Sequence, residues 1–197
     1  MANMDASQVT VGSASATGAI FVAPTTTALP TSALGDLTGY TLLGFTSDEG
    51  VSIAESSSTQ SIRAWEGRMD VYTTKTEYTE KVSFTPIQCN ADVAKLIWGD
   101  DMVSVDEGGN IVAKHHGKNM EPVHIVIETT PREGIVKRYC QKSQLTERGD
   151  ATMDGTKVDA RKLTFNNLAD ANGVTCYEYT AYTDGGGETG ETGITGA

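Results

Sequence analysis

The sequence predicts a mainly β protein: a β-sandwich or half-barrel with one short flanking α-helix, a long loop and extended N- and C-terminal arms. First, apolar and polar residues alternate with the two-residue period of half-buried strands at 69–74, 80–87 and 122–129. Second, Gly, Asn and Asp separate these segments at short intervals. Third, helix signals occur together in one short segment only, 90–99.

The length of 197 residues fits one folded domain with appended segments. We expect an extended N-terminal arm at 1–37, a β-sandwich domain at 38–183 and a flexible, Gly-rich tail at 184–197. The arm is rich in Ala, Ser, Thr and Gly, and Pro24 and Pro30 interrupt any regular element. The tail repeats the triplet Gly-Glu-Thr and is too polar to offset the entropy lost on ordering.

The N-terminal arm also carries apolar residues that favour burial, among them Ile20 and Phe21. We therefore expect the arm to order on another subunit, with Ile20 and Phe21 as contact candidates. A frayed terminus is the alternative interpretation. The first strand of the folded domain is predicted at 40–45.

A long polar loop is predicted at 47–65, because the few apolar residues of this Ser- and Glu-rich segment lack the regular spacing of a buried strand. A loop of this length with apolar side chains favours docking onto another molecule. Its candidate contact residues are Val51, Ile53, Ile62, Arg63 and Trp65.

Two strands and the helix follow this loop. The strands are predicted at 69–74 and 80–87, with a turn at 76–78. Asn90 is a suitable N-cap and Gly99 a suitable stop for a helix that must pack on the sheet, because about nine residues are too few for a helix stable by itself. Its apolar face consists of Val93, Leu96 and Ile97.

After the helix, short strands are predicted at 102–105 and 111–113. Two strand pairs follow, 122–129 with 135–141 and 158–165 with 174–182. Asn172 and Gly173 are predicted to join the last pair. Tyr177 and Tyr179 fall on one face of the final strand, either as an interface stripe or as buried aromatic residues with hydrogen-bonded hydroxyls.

Composition narrows the function classes. The net charge of −11 and pI near 4.6 argue against a broad nucleic-acid-binding face, which needs clustered Lys and Arg. Three cysteines without CxxC spacing indicate neither a disulfide framework nor a zinc knuckle. The N-terminus lacks a signal-peptide pattern and no apolar run is long enough to span a bilayer, so we expect no membrane anchor.

No catalytic motif is present, so the sequence predicts a protein that is not an enzyme and holds neither cofactor nor metal. A metal hydrolase using His115, His116 or His124 is a distant alternative. Adjacent histidines in an extended segment point to opposite faces, which weakens a shared site. The acidic residues at 100–107 miss the spacing of a calcium loop, so solvated turns are the preferred interpretation.

One ordering of segments resembles a known family. A Ser/Glu-rich loop that ends in Arg63-Ala-Trp-Glu-Gly67 is followed by two strands, a Val-Ser-Phe-Thr segment, a capped helix and Trp98-Gly99-Asp100. Further on stands Thr146-Glu-Arg-Gly-Asp150. From about residue 34 to 182, this pattern resembles the major tail tube protein of long, non-contractile-tailed bacteriophages, particularly those of actinobacterial hosts.

The resemblance implies a structural virion protein with the phage tail tube fold. Copies of the chain would form stacked hexameric rings, each subunit adding strands from 69–74 and 82–87, or from 123–141, to an inner β-barrel wall. The implied partners are the chain itself, the tape measure protein and the tail terminator and tip proteins, with assembly in the host cytoplasm. DNA would pass through the lumen without specific binding. A head-decoration or surface adhesion module is the alternative.

Overall fold

The computed structural model describes residues 11–14, 18–132, 134–151, 153–156 and 158–183; the predicted tail at 184–197 lies outside them. Of the described residues, 51% are in strands and 7% in helices, and the sheets are antiparallel, which confirms the mainly β fold class. The first two strands are β1 (Ile20–Pro24) and β2 (Thr41–Leu42), and the next two are the long strands β3 (Thr46–Arg63) and β4 (Asp70–Pro86).

The remaining elements follow in chain order. Helix α1 (Ala91–Trp98) leads through a 3-10 turn at Asp100–Met102 into a small antiparallel sheet, β5 (Val103–Val105) and β6 (Ile111–Ala113). The last four strands are β7 (Val123–Arg132), β8 (Ile135–Arg148), β9 (Leu163–Asn167) and β10 (Cys176–Tyr182).

All strands except β5 and β6 belong to one eight-stranded sheet. Its order is β2-β1-β7-β8-β9-β4-β3, with β10 also paired to β8. A flat path of seven strands would be about 30 Å wide at the usual strand spacing. Yet Ile20 of β1 and Phe84 of β4, from opposite ends of the path, lie in one apolar cluster. The sheet therefore curls around its own core as a half-barrel.

The core lies on the concave side of this half-barrel. The rings of Phe84 and Phe165 stack at its centre, 5.5 Å apart. Helix α1 adds Val93 and Leu96 to the same cluster. The Asn90 side chain accepts a hydrogen bond from the Val93 amide, and Gly99 ends the helix at φ 92°. The capped helix predicted from the sequence is thus confirmed, including the face that it buries.

The convex side of β7 and β8 is also covered. Arg138, with 5% of its side chain exposed, binds Glu128 at 2.5 Å and donates to the carbonyls of Ser32 and Gly35. His124 contacts the carbonyl of Thr27 at 2.8 Å. Residues 25–40 thus form an outer layer held to the sheet by buried polar contacts.

This arrangement corrects the expectation that the whole N-terminal arm orders on another subunit. Residues 20–24 form β1, which pairs with both β2 and β7 inside the sheet. The physical reason is that Ile20 and Val22 share the concave face with their neighbours Ile127 and Ile125, so this strand completes the core. The predicted strand at 40–45 is reduced to β2, two residues long.

The predicted loop at 47–65 is wrong, because residues 46–63 form the 18-residue strand β3. The predicted turn at 76–78 is wrong as well, since β4 runs without interruption through 17 residues. Thr76 is the extra residue of a bulge: Ser58 pairs with Glu77 and Thr59 with Lys75. A bulge shifts the two-residue period by one position, which in the sequence looks like a break between strands.

The last two strands were predicted as strands, although β9 begins at Leu163 instead of 158, and their pairing as a hairpin is wrong. Both lie along the same edge of β8, which pairs with β10 over 135–141 and with β9 over 143–148. The 14 residues of β8 are long enough to take both neighbours end to end. β9 then bridges to β4, which joins the long β3–β4 hairpin to the rest of the sheet.

Candidate assembly surface

The most exposed part of the fold is the outer half of the β3–β4 hairpin. β4 pairs with β9 only at residues 81–84, so beyond these positions the hairpin continues as two strands alone. We call residues 55–79 the ribbon. Nearly every side chain in it is exposed on both faces. At about 3.3 Å per residue, the nine residues 55–63 carry the ribbon about 30 Å beyond the sheet.

The tip of the ribbon presents large apolar side chains to solvent. Trp65 is 95% exposed and Met69 is 66% exposed. The turn that holds them has left-handed backbone at Gly67 (φ 71°) and Arg68 (φ 53°). An ion pair between Arg63 and Asp70, 2.9 Å long and solvent-exposed, closes it. A tryptophan displayed in this way is typical of a contact that a partner molecule completes.

Apolar side chains continue below the tip. Ile62 pairs directly with Tyr72, and both are more than half exposed, as is Val71. Contacts within the ribbon are few: the Ser61 and Thr73 hydroxyls lie 3.1 Å apart, and the Lys75 ammonium lies 4.4 Å from the Tyr78 ring centre. An isolated two-stranded ribbon is marginally stable in water. The ribbon therefore gains little stability from its own subunit.

The base of the ribbon is anchored by a buried carboxylate. Glu80, the first β4 residue below the ribbon, is buried and accepts hydrogen bonds from the hydroxyls of Thr175 and Tyr78. These bonds tie the ribbon to the segment that precedes β10. The base of the ribbon is thus held to the rest of the subunit, whereas its tip is exposed to solvent.

The structure brings some of the predicted contact residues together and separates others. Ile62, Arg63 and Trp65 lie together at the outer end of the ribbon. Val51 and Ile53 are half-buried at the inner end of β3, where they pack against the core opposite Phe84 and Val82. These two positions contribute to the subunit's own core, because the sheet curls over them.

The two contact residues predicted in the N-terminal arm, Ile20 and Phe21, lie in different environments. Ile20 is 1% exposed within the core, so it is not available to another subunit. Phe21, on the other face of β1, is half-buried between Leu42 and Val126. Phe45, which is 71% exposed beside the start of β3, was not among the predicted contact residues. An aromatic residue next to a predicted polar loop was the signal available for it.

The edge of the sheet adds a second surface. β3 is the last strand of the path, so within the described residues its outer edge has no neighbouring strand along 18 residues. Unpaired backbone donors and acceptors on a long edge are a template for pairing with another chain. Many side chains on this strand are Ser and Thr, which leave the edge sterically accessible.

The histidines considered for metal binding do not converge. His115 stacks on Trp98 with ring centres 3.8 Å apart, and His116 lies 2.6 Å from the Trp98 carbonyl oxygen. His124 lies under the outer layer, where burial and nearby Lys142 lower its pKa and the hydrogen bond to Thr27 opposes them. In the described part of the chain, no group of three or more His, Cys, Asp or Glu residues is placed to hold a metal ion.

Comparison with known protein families identifies the family of this chain. The family model described as "Phage tail tube protein" matches residues 1–183. The chain belongs to the phage tail tube protein family. No curated protein gives a significant match.

Membership of this family confirms the resemblance to phage tail tube proteins and places the protein in the tail of the virion. It also makes self-assembly into a tube the general role of the chain. Among the described residues, no helix combines the length and apolar character needed to cross a bilayer. The ribbon is the part of the described structure with the largest apolar side chains left uncovered by its own subunit.

Proposed function

We propose that this tail tube protein forms hexameric rings that stack into the channel through which phage DNA reaches the host, an actinobacterium by resemblance. The observation that carries the proposal is the ribbon, 25 residues that extend outside their own subunit with Trp65 at the tip. In a stacked tube the tip inserts against the adjoining ring, which removes its apolar side chains from water. The role is structural and non-enzymatic.

The lumen wall is assigned to the β3, β4 and β9 region. Both faces of β7 and β8 are covered within the subunit, by the core and by residues 25–40. The face of β4 and β9 away from the core is more open, with Lys81, Ser83, Asn166 and Thr164 paired across it. Side chains of this kind, in a protein of net charge −11, offer DNA phosphates few cations to bind.

Closure into a ring follows from the same geometry. The free edge of β3 pairs with strands of the next subunit, so that a continuous barrel has no exposed edge. The tape measure protein would occupy the lumen and the terminator and tip proteins the tube ends, with assembly in the host cytoplasm. Head decoration is disfavoured by the family match, which concerns the tail.

Electron microscopy of the concentrated protein tests the proposal. We expect rings with six-fold symmetry and stacked tubes, with density for the ribbon crossing from one ring to the next. Rings of a different symmetry would overturn the hexamer but not the tube. Absence of rings and tubes at every concentration and salt condition would overturn both.

A further inference from the structure

Two arginines beside the C-terminal end of α1 form a cation cluster that the tube role leaves unexplained. The guanidinium carbons of Arg148 and Arg161 lie 4.9 and 5.8 Å from the centre of the Trp98 ring, on which His115 also stacks. We call Arg148 and Arg161 the arginine pair. They come from the end of β8 and the segment before β9, so the fold brings them together.

A backbone contact holds the two members of the arginine pair close to each other. The Gly149 amide donates to the Lys162 carbonyl at 2.7 Å, and a Cβ at Gly149 would lie 3.0 Å from that oxygen. Because Arg148 precedes Gly149 and Arg161 precedes Lys162, this close approach brings the two arginines side by side. Arg148 is fixed further because its Nε donates to the carbonyl of Ile97 at 2.8 Å. Its guanidinium therefore has one defined orientation at the helix C-terminus.

The arginine pair lacks the counter-charge that a partly buried cation needs. Among the described residues, neither member takes part in an ion pair, and Arg161 donates no hydrogen bond. The Nη2 atom of Arg148 is buried and has no hydrogen-bond partner in the part of the chain that the structure describes. Burial, followed by the charge of Arg161, lowers the pKa of Arg148.

The lack of ion pairs at the arginine pair contrasts with the environment of Arg138. Arg138 is buried too, yet it binds the Glu128 carboxylate and two carbonyl oxygens. Asp150 and Asp159 stand two residues from Arg148 and Arg161 in the sequence, yet among the described residues neither carboxylate forms an ion pair with the arginine pair. Two adjacent guanidinium groups without one are typical of a site that is completed by an anionic ligand.

We propose that the arginine pair is a binding site for a carboxylate of a second copy of the chain. The inference rests on the proposed self-assembly. Guanidinium groups match the two oxygens of a carboxylate in paired hydrogen bonds, and the Trp98 ring orients them. A second copy is the favoured source because every neighbour in the tube brings the same excess of carboxylates. DNA phosphate is the competing ligand.

The first test compares Arg161→Gln with Lys162→Gln, which removes the same charge one residue away. Arg161 is the better choice for substitution, because Arg148 also satisfies a helix carbonyl. We expect Arg161→Gln to raise the critical concentration for tube formation about tenfold in low salt, measured by sedimentation. Lys162→Gln should change it less than twofold. Equal critical concentrations for the two variants would overturn the proposal.

The second test identifies the ligand by zero-length carbodiimide coupling. Arg161→Lys keeps the charge and introduces an amine that can be coupled to a neighbouring carboxylate. Tubes assembled from a mixture of 15N-labelled and unlabelled subunits should yield a mixed-isotope peptide that joins the introduced lysine to an Asp or Glu. A coupled peptide formed only within one chain, or no coupled peptide from intact tubes, contradicts the proposal.

A third measurement addresses DNA. If wild-type tubes bind a short DNA duplex and Arg161→Gln abolishes that binding, the site takes phosphate and the carboxylate proposal is wrong. Equal DNA binding by both proteins supports the carboxylate. These outcomes are distinct from failure of the proposed function, in which the wild-type protein itself would form no tubes.

Discussion

A substitution at Trp65 should affect assembly of the tube without affecting folding of the monomer. The side chain is 95% exposed, so Trp65→Ala should leave the melting temperature of the monomer almost unchanged. Tube formation should weaken, because truncation of a buried interface tryptophan costs about 2 kcal/mol or more per contact. Monomer calorimetry and sedimentation of tubes measure the two effects.

The second tryptophan serves as the control. Trp98 is half-buried and stacks on His115, so Trp98→Ala should destabilise the monomer itself, by about 2 kcal/mol or more. A Trp65→Ala protein that melts early yet assembles normally would contradict the placement of Trp65 at the tip.

The three cysteines differ in predicted reactivity. Burial raises the pKa of Cys140 to about 11 and that of Cys176 to about 12, whereas Cys89 is exposed. Because the thiolate is the reactive form, we expect one thiol per folded chain to react rapidly with a disulfide reagent at pH 8, and three after unfolding. Cys89→Ser should abolish the rapid phase. Rapid reaction of two or three thiols in the folded protein would show that the sheet opens around them.

At the scale of elements, the ribbon should be weakly ordered before assembly. It has two strands, no core and few side-chain contacts, so its amides should exchange rapidly with solvent in the monomer and slowly in tubes. The sheet strands β7 and β8 should be protected in both states and are the internal control. Equal ribbon protection in monomer and tube would refute the coupling of order to assembly.

A shortened variant tests the same element. Replacing residues 57–78 by Asn-Gly joins the paired residues Ser56 and Thr79 through a two-residue turn and leaves the apolar core untouched. Glu80 loses the hydrogen bond from Tyr78 but keeps the one from Thr175. We expect a folded monomer with a melting temperature near that of the wild type and no tubes. Tubes from this variant would show that ring stacking does not require the ribbon.

For the whole molecule, His124 makes stability depend on pH. Its pKa is lowered by burial, so below the ordinary histidine pKa of 6.5 the unfolded chain binds a proton that the folded chain does not. The free energy of unfolding should therefore decrease as the pH falls below 6.5 toward the folded pKa, and lose this dependence at higher pH. Denaturant titrations of wild type and His124→Gln between about pH 5 and 7.5 measure it.

The glutamine variant keeps a donor for the Thr27 carbonyl but cannot take up the proton, so its stability should vary less in this window. Lys142, which pairs with His124 across the sheet and also lowers its pKa, remains in both proteins. Identical pH dependence in the two proteins would rule out His124 as the source.

Some elements could be predicted from the sequence because the residues that specify them lie close together in the chain. The capped helix from Asn90 to Gly99 and the β7–β8 hairpin follow from capping chemistry, turn residues and alternation within a dozen residues. The ordering around Arg63-Ala-Trp-Glu-Gly67 was sufficient to indicate the family that the comparison confirms.

Tertiary structure alone decided the rest, because it depends on which strands become neighbours. A Ser-rich strand such as β3 has no apolar face to reveal it, and only its pairing with β4 makes it a strand. The separation of buried Ile20 from exposed Trp65 likewise depends on the curl of the sheet, which brings β1 over the core and leaves the ribbon outside. The sequence determined which segments are apolar, and the closure of the half-barrel determined which of them remain available to another copy.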